Sequence, residues 1–129
     1  MTYLRDTHSL LWALTDPAGL SQTARRVIAA RSNTLFASSA SAWEVATKAR
    51  LGRLPQASGL LRTWDRNLRR LGCERLPITD DHALLAGSLE WDHRDPFDRM
   101  LAAQAMSEGL ALITRDHAFS GLRGVRTVW

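Results

Sequence analysis

Four acidic residues of this 129-residue sequence could act together on a substrate: Asp6, Glu44, Asp98 and Asp116. Asp6 ends a short apolar run near the start of the chain, and Asp116 follows a second run, so both come at the ends of candidate strands. Carboxylate oxygens are the ligands that Mg²⁺ prefers, and a bound divalent cation activates water and stabilises charge on a phosphate. If the fold brings these residues together, they predict metal-assisted hydrolysis of a phosphoryl substrate.

Each of the four acids also has a purely structural explanation. Asp6 and Asp116 can cap the helix or turn that follows them. Glu44 follows Ser41 by three residues, which is the spacing of a capping box. Asp98 falls in the first turn of a predicted helix, where the helix dipole favours a carboxylate. Taken singly, the structural and functional explanations are equally good, so the functional one depends on the acids converging.

Strand and helix signals alternate along the chain. The predicted strands are Tyr3–Asp6, Thr34–Ala37, Arg75–Ile78, Leu110–Thr114 and Val125–Trp129. The predicted helices are Thr7–Leu14, one beginning at Ser21, Ser39–Leu51, Ser58–Leu71, one capped by Thr79 or Asp80 that runs to Leu89, and one capped by Asp95 with Pro96 first that ends at Gly109. This alternation predicts a single α/β domain over residues 1–129, with a central parallel sheet covered by helices on both faces.

The predicted parallel sheet gives a reason for the acids to converge. In such sheets ligands bind beyond the carboxyl ends of the strands, where Asp6 and Asp116 would lie. Helices that begin at the same edge carry Glu44 and Asp98. Four carboxylates at one edge would repel one another and raise each other's pKa, and a divalent cation would relieve that repulsion.

The charge balance agrees with a polyanionic substrate. The chain has 17 basic and 13 acidic residues, and Lys48 is the only lysine among the basic ones. Without the four acids above, 17 basic residues stand against nine acidic ones, which describes an acidic site on a basic surface. Arginine suits phosphate, although an arginine-rich composition also arises from a high-GC genome. The composition therefore permits a nucleic-acid partner without requiring one.

Several classes of protein are excluded by the sequence. No apolar run is long enough to span a membrane, and Asp6 interrupts the segment that would be the core of a signal peptide, so we expect a cytoplasmic protein. Cys73 is the only cysteine and cannot form an intramolecular disulfide. The four histidines lack zinc-ligand spacing, so we expect them at the surface or in helix caps.

Four segments of the chain resemble the PIN-domain ribonucleases and, within them, the VapC-type toxins of type II toxin–antitoxin pairs. They are LRDTHSLLW at 4–12, SAWEVATK at 41–48, HRDPFDRMLAAQA at 93–105 and LITRD at 112–116. The segments follow the family order and span almost the whole chain. The resemblance implies a PIN-like three-layer α/β/α sandwich and metal-dependent hydrolysis of RNA phosphodiester bonds. It also implies an RNA substrate, a cognate antitoxin protein and a homodimer as partners.

The resemblance assigns roles to individual residues. The four family acids, which would be catalytic and would hold Mg²⁺ or alternatively Mn²⁺, correspond to Asp6, Glu44, Asp98 and Asp116. Asp98 takes the third role because the alanine-rich helix follows it directly. Asp95 is then the helix cap, and it supports the site from outside the set of direct metal ligands. Thr114 matches a family hydroxyl near the site. Arg5 departs from the family, which has an apolar residue there, and makes burial of the first strand doubtful.

Alternative functions are also consistent with the sequence. A catalytically inactive PIN-fold module that binds RNA or a protein would share the fold, although all four acids are present. A response-regulator receiver needs a lysine after its last-but-one strand, whereas Lys48 lies on a predicted helix. The tryptophans are expected mainly in the core, although an exposed one could stack on RNA bases. One side of the predicted helix Ser58–Leu71 is rich in arginine, and we expect it either to face solvent or to contact the RNA backbone. Its residues are Arg62, Arg66, Arg69 and Arg70.

Overall fold

The computed structural model of the chain describes residues 1–55 and 57–129. Its strands are β1 (Thr2–Arg5), β2 (Thr34–Ser38), β3 (Cys73–Leu76), β4 (Ala111–Ile113) and β5 (Thr127–Val128). Its α-helices are α1 (Thr7–Thr15), α2 (Gln22–Ala29), α3 (Ser39–Arg50), α4 (Ala57–Arg62), α5 (Trp64–Arg70), α6 (Asp80–Ser88) and α7 (Pro96–Glu108). Short 3₁₀ helices cover Pro17–Gly19 and His117–Gly121.

All five strands belong to one parallel sheet in the order β3-β2-β1-β4-β5. β1 lies in the centre, so the residues that follow it emerge between the ends of β2 and β4. Strand order reverses on either side of β1, which is the position where ligands bind in open parallel sheets. The structure confirms the predicted α/β class.

Two apolar cores, one on each face of the sheet, make the fold a three-layer sandwich. On one face, Leu4 and Leu112 pack with Leu101 of α7 and with Phe119. On the other face, the side chains of Tyr3, Leu35 and Ile113 pack with α2, and Ala37 packs with Leu10 of α1 and Leu68 of α5. Within the described residues, no helix has both the length and the apolarity needed to cross a membrane.

The predicted single helix over Ser58–Leu71 is wrong, because the structure has two helices that meet at Thr63. The Thr63 hydroxyl donates a hydrogen bond to the Gly59 carbonyl (3.1 Å). The Asn67 side-chain amide donates to the Leu60 carbonyl (3.3 Å) and to the Thr63 hydroxyl (3.1 Å). These polar side chains satisfy groups that a continuous helix would pair within its backbone, and so they stabilise the break.

The strand boundaries also differ from the sequence prediction, most of all in the third and the last strand. The third strand ends at Leu76, not at Ile78, because Pro77 has no backbone N–H for a sheet hydrogen bond. The strand lies at the edge of the sheet, where a neighbouring proline is tolerated. The last strand is only Thr127–Val128, shorter than the predicted Val125–Trp129.

Arg5 does not weaken the burial of the first strand. Its side chain is fully buried, and its Nη2 and Nε atoms donate to the Ser9 carbonyl (2.8 Å) and hydroxyl (3.4 Å). The Nη1 atom is also buried and has no hydrogen-bond partner among the described residues. Burial lowers the pKa of Arg5 and raises that of the neighbouring Cys73 thiol, so Cys73 is a poor nucleophile.

Candidate active site

Asp6 lies at the carboxyl end of the central strand and is almost fully buried. Its backbone N–H donates to the Ile113 carbonyl (3.1 Å), which fixes it beside the end of β4. Its Oδ1 atom caps α1 by accepting a hydrogen bond from the Ser9 backbone N–H (2.8 Å). Burial raises the pKa of Asp6, and hydrogen bonds from Thr114 and Ser9 oppose that effect. The capping role is therefore real, and it leaves the second carboxylate oxygen for other contacts.

Asp116 and Thr114 flank Asp6 from the neighbouring strand. The buried Thr114 hydroxyl accepts a hydrogen bond from the Asp116 backbone N–H (3.0 Å). The exposed Asp116 carboxylate caps the following 3₁₀ helix by accepting from the Ala118 N–H (2.9 Å). Asp6 and Asp116 line the same cavity of about 400 Å³. The structure thus brings these two predicted site residues to one opening.

Glu44 is buried in the second turn of α3, and both of its carboxylate oxygens are hydrogen-bonded. The Thr7 hydroxyl donates to Oε1 (2.6 Å), and the Lys48 ammonium lies 2.5 Å from Oε2. Thr7 directly follows Asp6, so it links the first and second acids. The Ser41–Glu44 capping box is wrong, because α3 is capped by Ser38 and the Ser41 hydroxyl contacts Thr7 instead (3.0 Å).

Asp98 lies in the first turn of α7 and pairs with a histidine that the sequence analysis did not assign to the site. The His93 Nε2 atom is 2.7 Å from Asp98 Oδ2. Burial raises the pKa of Asp98 to about 6, and repulsion from Asp95 and Glu44 adds to this effect, while the His93 hydrogen bond opposes it. Glu44 is therefore close enough to Asp98 for its charge to raise the pKa of Asp98.

Asp95 caps α7, as the sequence predicted. Its Oδ1 atom accepts hydrogen bonds from the backbone N–H groups of Phe97 (2.8 Å) and Asp98 (3.3 Å). Asp95 thereby fixes the helical turn that carries Asp98, and its charge reaches Asp98 through space.

Arg99 holds the segment that carries His93. Its guanidinium donates to four backbone carbonyls at 2.7–3.1 Å, those of Ala86, Leu89, Trp91 and His93. The His93 ring also lies 4.7 Å from the Trp91 ring. Arg99 therefore helps to position His93, which in turn hydrogen-bonds to Asp98. Backbone carbonyls carry no sequence signature, so this contact could not be predicted from the residues alone.

The acids form two linked pairs at one edge of the sheet. Asp6 and Asp116 share a cavity, Glu44 and Asp98 interact electrostatically, and Thr7 joins the pairs. Within residues 1–55 and 57–129, no set of three or more His, Cys, Asp or Glu side chains is grouped closely enough to hold a metal ion. The residues nevertheless fit a divalent cation in chemistry, since burial raises the pKa of both Asp6 and Asp98 and a cation would favour their charged forms.

This site and sheet define a parallel α/β sandwich with carboxylates at the strand ends. A family model described as the PIN domain matches residues 3–125. The chain belongs to the PIN-domain family, which confirms that resemblance.

Solved structures with the same fold cover almost the entire chain. VapBC2 from Rickettsia felis, bound to a promoter DNA fragment, has a TM-score of 0.74 at 17% identity, over 99% of this chain and 98% of the other. DNA-bound VapBC from Salmonella typhimurium has a TM-score of 0.71 at 18% identity, over 99% and 97%. VapBC-5 from Mycobacterium tuberculosis has a TM-score of 0.61 at 23% identity, over 98% and 97%. No curated protein matches the sequence significantly.

Proposed function

We propose that this chain is a metal-dependent ribonuclease that hydrolyses RNA phosphodiester bonds. The observation that carries the proposal is that the buried Asp6 and the half-buried Asp98 lie at the carboxyl edge of a PIN-family sheet, and that burial raises the pKa of both carboxyl groups. Keeping buried acids ionised is costly without a compensating charge, and a divalent cation with a phosphate substrate supplies a reason to retain them.

Asp6, Asp98 and Asp116 would hold Mg²⁺, or Mn²⁺ in its place, and Glu44 would orient a water. When bound, the cation lowers the pKa of water and stabilises charge on the phosphate under attack. The hydrogen bond from Thr114 to Asp6 favours the ionised form of that carboxylate and opposes part of the effect of burial. Thr7 and Lys48 fix both oxygens of Glu44, so this side chain is already oriented before a substrate arrives. Asp95 contributes by holding the first turn of α7.

The test is cleavage of a labelled RNA by the purified chain with Mg²⁺, with Mn²⁺ and with EDTA. Wild type should cut in either metal and not in EDTA. Asp6→Asn and Asp98→Asn should lose at least about 100-fold in rate, because each removes a charge from the metal site. Asp81→Asn is the matched control, since Asp81 is an exposed acid in the first turn of α6 that does not line the cavity.

The alternative is a catalytically inactive PIN-fold module that binds RNA or a protein. It predicts RNA binding or partner binding without cleavage in either metal. Folded Asp6→Asn and Asp98→Asn proteins that cut at the wild-type rate would remove the metal site proposed here, whereas a wild type that never cuts would favour the module.

We further propose that the chain is a VapC-type toxin, paired with an antitoxin protein and assembled as a homodimer in the cytoplasm. Support comes from the VapBC structures, which share its fold over nearly the full length of both chains. An arginine of the antitoxin, placed among the acids, would replace the charge of the metal and so inhibit the enzyme.

Expression of the chain alone should slow growth, and Asp98→Asn should abolish that effect. Co-expression with the protein of the adjacent gene should restore growth, and light scattering of the purified chain should give twice the monomer mass.

A further inference from the structure

The cavity shared by Asp6 and Asp116 has a second wall that metal binding does not explain. The remaining lining residues are His8, Trp12, Arg115 and His117. The volume of about 400 Å³ lies within the range of small-molecule sites. One wall of the cavity therefore offers carboxylates, and the other offers an aromatic ring with groups that can bind anions.

Trp12 is held in a fixed orientation at this cavity. Its ring lies 5.6 Å from the Trp129 ring and 5.7 Å from the His8 ring. Gly19 packs so closely that a Cβ atom at this position would come within 3.0 Å of the Trp12 indole. The ring is only half-buried, so an immobilised aromatic surface remains open to the cavity. Such a surface loses little entropy when a planar group stacks on it.

Arg115 places a positive charge beside that ring. Its guanidinium carbon lies 5.9 Å from the centroid of the Trp12 ring, and its side chain is exposed. Arginine binds phosphate oxygens through paired N–H groups while it stacks on an aromatic face. A ligand that satisfies Trp12 and Arg115 together has a planar ring attached to an anion.

We propose that this cavity is a nucleotide subsite, in which the base next to the cleaved phosphate stacks on Trp12 while Arg115 binds the adjoining phosphate. The inference rests on the proposed ribonuclease function and assigns its substrate contact on one side of the cut. Stacking on an aromatic platform tolerates different bases, so the subsite selects for an unpaired nucleotide. Single-stranded RNA is therefore the substrate, because a base inside a duplex cannot reach the ring.

The test measures whether the effect of removing one RNA base depends on the Trp12 ring. Short single-stranded RNAs, each with one abasic position, are titrated in EDTA with wild type and with Trp12→Leu, and RNA integrity is checked afterwards. At one position, loss of the base should weaken binding to wild type about 10-fold, which corresponds to about 1.4 kcal/mol, and should change binding to Trp12→Leu less than about twofold. Trp12→Phe keeps an aromatic face and should recover most of the coupling.

Equal effects of every abasic position in wild type and Trp12→Leu would overturn the subsite. Base-independent binding of this kind is also what a cavity reserved for a partner polypeptide would give. Arg115→Gln keeps the test valid if Trp12→Leu fails to fold. The Arg115→Gln change should weaken RNA binding and flatten its salt dependence more than Arg31→Gln does. Arg31 is an exposed arginine just before β2, at the amino ends of the strands and therefore on the opposite side of the sheet from the cavity. Equal effects of the two arginine variants would also overturn the proposal.

Cleavage of the unmodified RNA in Mg²⁺ is measured separately with the same proteins. Cleavage of RNA, with abasic positions that weaken the binding of wild type and Trp12→Leu equally, would overturn the subsite and leave the ribonuclease function intact. Coupling without cleavage would support the subsite and count against the ribonuclease function.

Discussion

The Nε2 atom of His93 lies 2.7 Å from Oδ2 of Asp98, so the imidazole donates a hydrogen bond to the carboxylate in the first turn of α7. This hydrogen bond favours the ionised form of Asp98 and opposes the burial that raises its pKa to about 6. His93 therefore adjusts the pKa of a proposed metal ligand, although no pattern in the sequence pointed to a role for this histidine in the site.

Replacing His93 should weaken metal-dependent cleavage most in mild acid. In His93→Ala the pKa of Asp98 rises further, so less of the carboxylate is ionised near neutrality. The Mg²⁺ concentration for half-maximal cleavage should therefore increase more at about pH 6 than at about pH 8. His93→Gln keeps a donor and should behave more like wild type. An equal change at both pH values in His93→Ala would contradict this role.

The stability of the metal-free protein should fall as the pH rises between about 3.8 and about 6. In this range the folded protein keeps a proton on Asp98 that the unfolded chain has released, so the free energy of unfolding decreases with pH. Asp98→Asn should reduce this slope without abolishing it, because the raised pKa of Asp6 acts in the same direction, and it should be more stable than wild type at neutral pH. Urea denaturation in EDTA over a pH series measures both effects, with Asp81→Asn as the control. A wild-type stability that rises through the same window would contradict the prediction.

Replacement of Arg99 by lysine should cost far more than a conservative change at the surface. A lysine ammonium cannot reach the four carbonyls that the guanidinium holds, and buried carbonyls left without a partner are costly. We expect Arg99→Lys to lose roughly 2–4 kcal/mol of stability and to lose cleavage activity as His93 moves. Arg94→Lys, at an exposed position in the same segment, is the matched control. Similar thermal midpoints for the two variants would show that Arg99 does not hold this segment.

Replacement of the buried Arg5 by methionine should leave the protein as stable as wild type or make it more stable. Arg5 is fully buried, and one of its nitrogens has no partner among the described residues, so its desolvation is incompletely repaid. Arg5→Met keeps the length of the side chain and removes the charge. Urea denaturation should show a change within about 1 kcal/mol or a gain, whereas Leu10→Ala in the adjoining core should lose about 2–5 kcal/mol. A large loss in Arg5→Met would show that the cation stabilises the fold.

The fold was predictable from local signals because strands, helices and caps leave traces within a few residues. Asp95-Pro96, for example, marked the start of α7. The break at Thr63 was not visible, because it depends on how Asn67 folds back on the preceding turn. Propensity and periodicity describe a helix as a whole and miss such polar contacts.

The sheet argument predicted four converging acids, and the structure brings Asp6 beside Asp116 and Glu44 near Asp98. The side chains that hydrogen-bond these acids were not predicted. Lys48 could be paired with Glu44 from its spacing of four residues, a signal that the sequence contained. Thr7 of α1 donates a hydrogen bond to Glu44 of α3, and that contact depends on how the two helices pack. The metal-ligand assignments and the individual roles of the acids remain predictions for the experiments above.

The central position of β1 has a consequence for a chain that is still being synthesised. Asp6 emerges from the ribosome early, but its backbone partner in β4 is Ile113, more than 100 positions later. Until those late residues leave the exit tunnel, the first strand has one bare edge and Asp116 is missing from the cavity. The cavity between Asp6 and Asp116 can therefore assemble only after β4 and the residues that follow it have left the ribosome.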